Sequence, residues 1–156
     1  MNGGMTQVAA EDGAYFDAYL TGAEGDGAPG IVLVQEIFGL TSAIIKAADM
    51  FAAQGFAVIA PDMHWRNRRN FVADYVDEAD RAEAFRLHDA HDYALGLTDI
   101  MAAARRLKAL PRCNGRIGVT GYCMGGNYAF LAAARIEIDA AASYYGTEIH
   151  TYLDEG

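Results

Sequence analysis

Apolar and polar positions change period several times along the chain, and each change marks an element. The moderately apolar segments TQVAA and YFDAYLTG flank EDG. An Asp-Gly between extended segments predicts an antiparallel hairpin. APGIVLVQ then supplies a short continuous apolar run bounded by Pro29 and Gly30, the pattern of a strand covered on both faces. From Ser42 the spacing of Ile44, Ile45, Ala48, Met50 and Phe51 is mostly helical, and Gly55 stands where a helix would stop. FAVIAPD reads as another buried strand, stopped by Pro61.

After the polar loop MHWRNRRN comes a long helix-favouring region from Asp77 to Leu110, closed by Pro111. Its length and Gly96 predict two consecutive helices. GRIGVTG is then a strand, GGNYAFLAAAR a helix and IDAAASYYG a further strand. Strands alternating with helices predict an α/β fold: a mostly parallel sheet with helices on both faces, connected right-handedly.

Composition narrows the class. At 156 residues and 53% hydrophobic content the chain is expected to form one domain over residues 1–156. A formal net charge of −9 disfavours a nucleic-acid partner or an anionic membrane surface, leaving small molecules. Two cysteines, Cys113 and Cys123, are too few for a disulfide scaffold and fit a reducing compartment, so cytoplasm is expected. The first residues lack a basic segment followed by an apolar core, and no apolar run approaches the ~20 residues that cross a bilayer.

The chemistry concentrates in VTGYCMGGNYAF. Strand, Gly121, Tyr122, Cys123, Met124, Gly125 and helix have the order of a nucleophile elbow. Side chains at Gly121 or Gly125 would clash with the closely passing backbone, and the nucleophile itself would adopt a strained conformation. The Met124 N–H, with the start of the following helix, would face a developing oxyanion. That helix terminus would also lower the cost of a thiolate. The bland alternative is a buried structural cysteine.

These residues resemble the dienelactone hydrolases, a family of α/β-hydrolases with a cysteine nucleophile in a GYC-G-G segment. VLVQEIFGL, APDMHWR and SYYG are similar to further segments of that family. The resemblance implies an α/β-hydrolase-like three-layer sandwich, a glutamate at Glu36 that controls thiol ionisation, and an oxyanion-hole N–H at Ile37. It also implies that Arg81 binds a substrate carboxylate, that Phe85 stands where relatives often have tyrosine, and that Tyr145 lies near substrate. Glu36 has independent support, because a carboxylate at the carboxyl end of a parallel strand lies where α/β folds bind ligands. Arg81 follows Asp77 by four residues, so an exposed helix ion pair accounts for it equally well.

In α/β-hydrolases a triad acid and then a histidine follow the nucleophile in the chain. After Cys123 only Glu137, Asp139, Glu148, His150, Asp154 and Glu155 are available, without the strands and helices that would carry a triad. The match is therefore expected to lack the family's C-terminal third. A fragment, a natural truncation completed by another chain, and a scaffold that has lost catalysis remain open. The apolar strand before Gly146 would then leave an unpaired edge through which the protein self-associates.

Other signals have plain readings. His88 and His91 with Asp92 suggest a divalent metal, but zinc needs three or four convergent ligands, and a polar helix face is expected. HWRNRR reads as an anion-attracting rim or a solvated loop. One of Tyr144 and Tyr145 contacts substrate while the other enters the core. Cys113 is a loop residue. The expected function is opening of a cyclic ester, dienelactone to maleylacetate, through Cys123, with no metal or organic cofactor. The chain alone is expected to be inactive. The alternatives are a carboxylesterase with a different ester, and a non-catalytic binding or interaction protein on the same scaffold.

Overall fold

The computed structural model describes residues 3–22 and 27–151. The hairpin forms as β1 (Gly4–Ala9) and β2 (Tyr15–Gly22), paired antiparallel from Gly4 opposite Leu20 to Ala9 opposite Tyr15. Gly13 takes a φ of 83° in the turn, and Asp12 Oδ1 accepts from Ala14 N at 3.0 Å. β3 (Ala28–Val34), α1 (Ser42–Ala53) and β4 (Ala57–Pro61) follow. Thr41 caps α1 by accepting from Ile44 N, and Gly55 ends its chain reversal at a φ of 97°. Ile44 and Ala48 are buried on this helix, whereas Met50 faces solvent.

Two helices form between Asp77 and Ala109, but the break is not at Gly96. α2 (Glu78–Asp89) ends at Ala90, and Asp92 caps α3 (Tyr93–Lys108) by accepting from Leu95 N. Gly96 lies in the first turn of α3, where a Cβ would overlap the Tyr128 hydroxyl. Close helix packing, not a chain break, accounts for that glycine. β5 (Cys113–Tyr122), α4 (Met124–Arg135) and β6 (Ala140–Tyr144) complete the order. Cys113 is therefore the first residue of β5, not a loop residue, and packs partly against the core.

The six strands are ordered β1-β2-β4-β3-β5-β6. β2 meets β4 antiparallel, while β4, β3, β5 and β6 run parallel. β3 shows why its sequence is continuously apolar. Ile31 and Leu33 face α1 together with Val58 and Ala60 of β4. Val32 and Val34 face the other way, into a larger core shared with Leu97, Ile100 and Leu107 of α3 and Tyr128 and Leu131 of α4. The sheet is thus the middle of three layers. Each fully buried aliphatic side chain contributes about 1.5–3 kcal/mol of transfer free energy. β6, at the edge, has all five residues exposed. Among the described residues no helix is long and apolar enough to cross a membrane.

The loop after β4 departs from the solvated rim its charges suggest. His64 and Trp65 are buried, Trp65 stacks on Phe16 at 5.5 Å, and its Nε1 donates to Asp99 Oδ2 at 2.8 Å. Arg66 makes two bonds to the same carboxylate, at 3.0 and 2.7 Å, and a third to Asp12 at 2.7 Å. A buried carboxylate satisfied by a guanidinium and an indole ties down the first half of this loop, while Asn67, Arg68 and Arg69 stay exposed as a solvated loop.

Candidate active site

β5 delivers the chain to Cys123, and α4 leads it away. Cys123 adopts φ 56° and ψ −115°, a conformation L residues seldom hold without support from their surroundings. Support comes from Cys123 N donating to Tyr144 O at 3.0 Å, and from Gly126 N and Asn127 N donating to Cys123 O at 2.8 and 3.2 Å. The glycines explain why the turn fits. A Cβ at Gly121 would lie 2.5 Å from Gly125 O, and one at Gly126 would lie 2.5 Å from Tyr144 O. One at Gly125 would strike Val34 O. α4 begins with no side-chain cap and no acidic residue in its first turn, so its leading N–H groups are not occupied by a cap.

The half-buried thiol sits among groups that oppose its ionisation. Burial pushes the Cys123 thiol up, and the charges of Glu36 and Glu148 push the same way. A hydrogen bond from Met124 N–H pulls it down but does not win. The expectation that the helix terminus favours a thiolate is thus outweighed: in this arrangement desolvation exceeds one backbone donor.

Glu36 and Tyr145 join the same group. Tyr145 Oη donates to Glu36 Oε1 at 3.1 Å. Desolvation, with the Glu36 charge next, pushes the Tyr145 hydroxyl up to about 12. Tyr145 holds a φ of 39°. Tyr144 and Tyr145 both lie against Tyr122, with ring centroids 5.1 and 5.9 Å away, and they are 46% and 63% exposed. Neither enters the core, contrary to expectation.

Ile37 is buried in the loop after β3, which the loop after β4 holds at several points. Gln35 Oε1 accepts from Met63 N at 3.3 Å, Ile37 O accepts from His64 Nε2 at 2.8 Å, and Phe38 O accepts from Ala73 N at 3.0 Å. Arg81 and Phe85 come from a different element, α2. Both are exposed on α2, one turn apart. Asp77 caps α2 instead of pairing with Arg81, whose guanidinium donates to Tyr75 O at 3.4 Å. Tyr75 packs on Phe38 at 4.7 Å and bonds Thr41 at 3.1 Å, linking the Arg81 end of α2 to the Ile37 loop.

Several residues gain a place here that the sequence did not assign. Glu148 Oε2 accepts from Tyr93 Oη at 2.9 Å and Asn127 Nδ2 at 3.2 Å, and its Oε1 lies 3.4 Å from His88 Nε2. His88 and His91 do not form a polar helix face. Both His91 ring nitrogens are buried, and its ring meets His64, Tyr93 and Tyr128 at 5.6–5.8 Å. Burial, with His64 and His88 nearby, pushes His91 down to about 4. Among the described residues no group of three or more His, Cys, Asp or Glu side chains could hold a metal. Of the triad acids considered, Asp139 accepts from Ile117 N at 2.7 Å, at the opposite end of β5 from Cys123. Glu137 and His150 are exposed. Asp154 and Glu155 lie outside the described residues.

The dienelactone hydrolase family profile matches residues 16–155. Carboxymethylenebutenolidase 1 of Cupriavidus pinatubonensis is 37% identical over 140 residues, covering 90% of this chain and 60% of the relative. Carboxymethylenebutenolidase of Pseudomonas putida is 36% identical over 146 residues, covering 94% and 62%. A Klebsiella pneumoniae structure assigned to dienelactone hydrolase superposes with a TM-score of 0.80 at 29% identity, covering 93% of this chain and 60% of that one. The chain thus spans about three-fifths of the length of these relatives. With its glycine-bound cysteine corner, its three-layer sheet and a profile match over most of its length, the chain belongs to the dienelactone hydrolase family.

Proposed function

We propose that this chain carries the nucleophile half of a carboxylic ester hydrolase that opens a cyclic ester, dienelactone to maleylacetate. The observation that supports it most is Cys123 held at φ 56° on a corner where three glycines admit no side chain. Cys123 Sγ attacks the lactone carbonyl, and the thiol proton passes to Glu36, which Tyr145 orients. The Ile37 and Met124 N–H groups receive the oxyanion. Its collapse breaks the ring C–O bond, and the departing oxygen takes the proton back from Glu36. Water then cleaves the thioester. Arg81 pairs with a substrate carboxylate, and Phe85 and Tyr145 line the approach.

The last step departs from the usual order of an acid and then a histidine after the nucleophile: Glu148 is the acid after α4 whose charge reaches Cys123, and the histidine beside it, His88, comes from α2. Turnover by this chain alone is expected to be slow, while acylation is feasible. Incubation with p-nitrophenyl acetate, followed by intact-mass and peptide mapping, tests this. An acetyl adduct on Cys123 supports the reading, and its absence at prolonged exposure sinks it. A second reading, a binding protein without turnover, has one observation in its favour: burial and two carboxylates keep the Cys123 thiol protonated at rest. Lactone binding with no adduct would decide for it.

A further inference from the structure

The segment from Gln35 to Gly39 carries both Glu36 and the Ile37 N–H, yet it has no helix or strand of its own. An oxyanion donor is useful only if its peptide plane is fixed before charge develops, because reorientation during reaction costs rate. The question is what fixes this one. The Ile37 carbonyl, in the peptide that follows the donor's, receives a hydrogen bond from His64 Nε2 at 2.8 Å, which restrains ψ of Ile37 beside the donor, and His64 is fully buried.

His64 is itself held. Its N–H donates to Asp62 Oδ1 at 3.0 Å, and its carbonyl accepts from Asn67 N and Arg68 N at 2.9 and 2.8 Å. Asp62 is anchored in turn by Asn70 N at 2.7 Å. The imidazole is bracketed by Phe71 at 6.0 Å and His91 at 5.8 Å. Its Nδ1 is buried with no hydrogen-bond partner. One ring nitrogen facing a carbonyl oxygen and the other facing nothing polar leaves a single workable tautomer. Nε2 carries the proton, since an Nε2 lone pair would point at the carbonyl's own lone pairs. Burial, which pushes His64 down from its ordinary value, keeps the ring neutral in this role.

We propose that His64 is a positioning residue for acyl transfer: its Nε2–H holds the Ile37 carbonyl, in the peptide that follows the one whose N–H would meet the oxyanion, and so restrains the turn that presents that donor. It touches no substrate and acts through the backbone of the β3 loop. This rests on the reading of Cys123 as an acyl-accepting nucleophile.

Two reactions of the same thiol separate positioning from stability. Acylation by p-nitrophenyl acetate passes through an oxyanion, whereas alkylation by iodoacetamide does not. His64→Phe keeps the aromatic contacts and removes the donor; acylation of Cys123 is expected to fall by about tenfold to a hundredfold, with alkylation unchanged. His64→Gln, whose amide can donate from nearly the same place, is expected to restore most of the rate. Equal acylation by His64→Phe and the unaltered chain overturns the proposal, and so does a parallel loss of both reactions in a folded variant. Failure of the unaltered chain to acylate at all overturns the functional reading and this proposal with it, before any variant is made. If His64→Phe does not fold, ¹⁵N chemical shifts of labelled histidines in the unaltered chain decide. An Nε2-protonated tautomer at His64 upholds the lock, and an Nδ1-protonated one overturns it.

Discussion

β3 and β6 flank the same strand, β5, and run parallel to it, yet they meet opposite fates. β3 is covered on both faces, with Val32, Leu33 and Val34 fully buried. β6 pairs with β5 from Ala140 to Tyr144 and is exposed at every residue. Both strands end beside Cys123, so the contrast runs through the candidate site. On the β3 side, Glu36 and Ile37 are fixed by backbone and buried side chains. On the β6 side, Tyr144 and Tyr145 stack on Tyr122 with open solvent beyond. The surroundings of Cys123 are thus built to full density on the β3 side and exposed on the β6 side.

The largest effect expected is the loss of chemistry on replacing the thiol. Cys123→Ala should abolish acetyl-adduct formation from p-nitrophenyl acetate outright, with Cys113 remaining unlabelled because it belongs to the start of β5, away from the elbow. Mass mapping checks this. Adduct on Cys113 in place of Cys123 would break the division between a built side and an open side.

Next in size is damage to the built side. Gly125→Ala forces a methyl group against the Val34 carbonyl, where β3, β5 and α4 meet. Neither backbone can withdraw without unseating the sheet, so a loss of about 3 kcal/mol or more in urea unfolding is expected. Leu33→Ala, which empties a fully buried site on the same strand, is expected to cost about 2–5 kcal/mol. If either variant unfolds like the parent chain, the β3 side is looser than its burial says.

The elbow was legible in the sequence because its constraint is local. Gly121 and Gly125 crowd each other within five residues, so that part of the sterics can be read from spacing, although Gly125 also meets Val34 and Gly126 meets Tyr144. Asp12-Gly13 and Gly55 were legible for the same reason. His64 and Trp65 were not. Their polarity marks a solvated loop until Ile37 and Asp99, 27 and 34 positions away, are brought to them. Gly96 misled in a similar way: a glycine in a helical stretch reads as a break, whereas Tyr128 crossing over it supplies the reason. Tyr144, which ends β6, and Tyr145 after it lie against Tyr122, but their exposure depends on the surroundings of that edge, which no local pattern records.

A smaller effect concerns the thiol's ionisation, where both sides contribute a carboxylate. Glu36 and Glu148 push the Cys123 thiol up, after burial. The midpoint of its alkylation profile should therefore lie above the ordinary cysteine value. Removing either charge should move it down, so Glu36→Gln and Glu148→Gln each react faster with iodoacetamide at pH 7.5, by several-fold. The sign matters for stability too. A group whose folded pKa is raised stabilises the fold below its unfolded pKa, and that contribution fades as pH rises through the folded value. Stopped-flow alkylation from pH 6 to 10 measures the midpoint. A profile unmoved in both variants would detach the carboxylates from the thiol.

The smallest effect on folding is expected at the open edge, where Ala141→Lys adds a charge to the middle of β6. Ala141 is exposed and its strand hydrogen-bonds on one side only, so folding stability should change by no more than about 0.5 kcal/mol. Its effect should appear instead in association. Among the described residues no strand pairs with the outer side of β6, which lies beside an apolar groove of about 240 Å³ formed with Phe51, Phe56 and Val119. A strand edge of that kind is a template for another strand, and lysine is the residue that blunts such edges. Light scattering across micromolar concentrations should show the parent chain self-associating and the lysine variant remaining monomeric. Monomers for both would mean that edge exposure and pairing are uncoupled here. A large loss of folding stability in Ala141→Lys would show that the edge is not the uncovered half of the molecule at all.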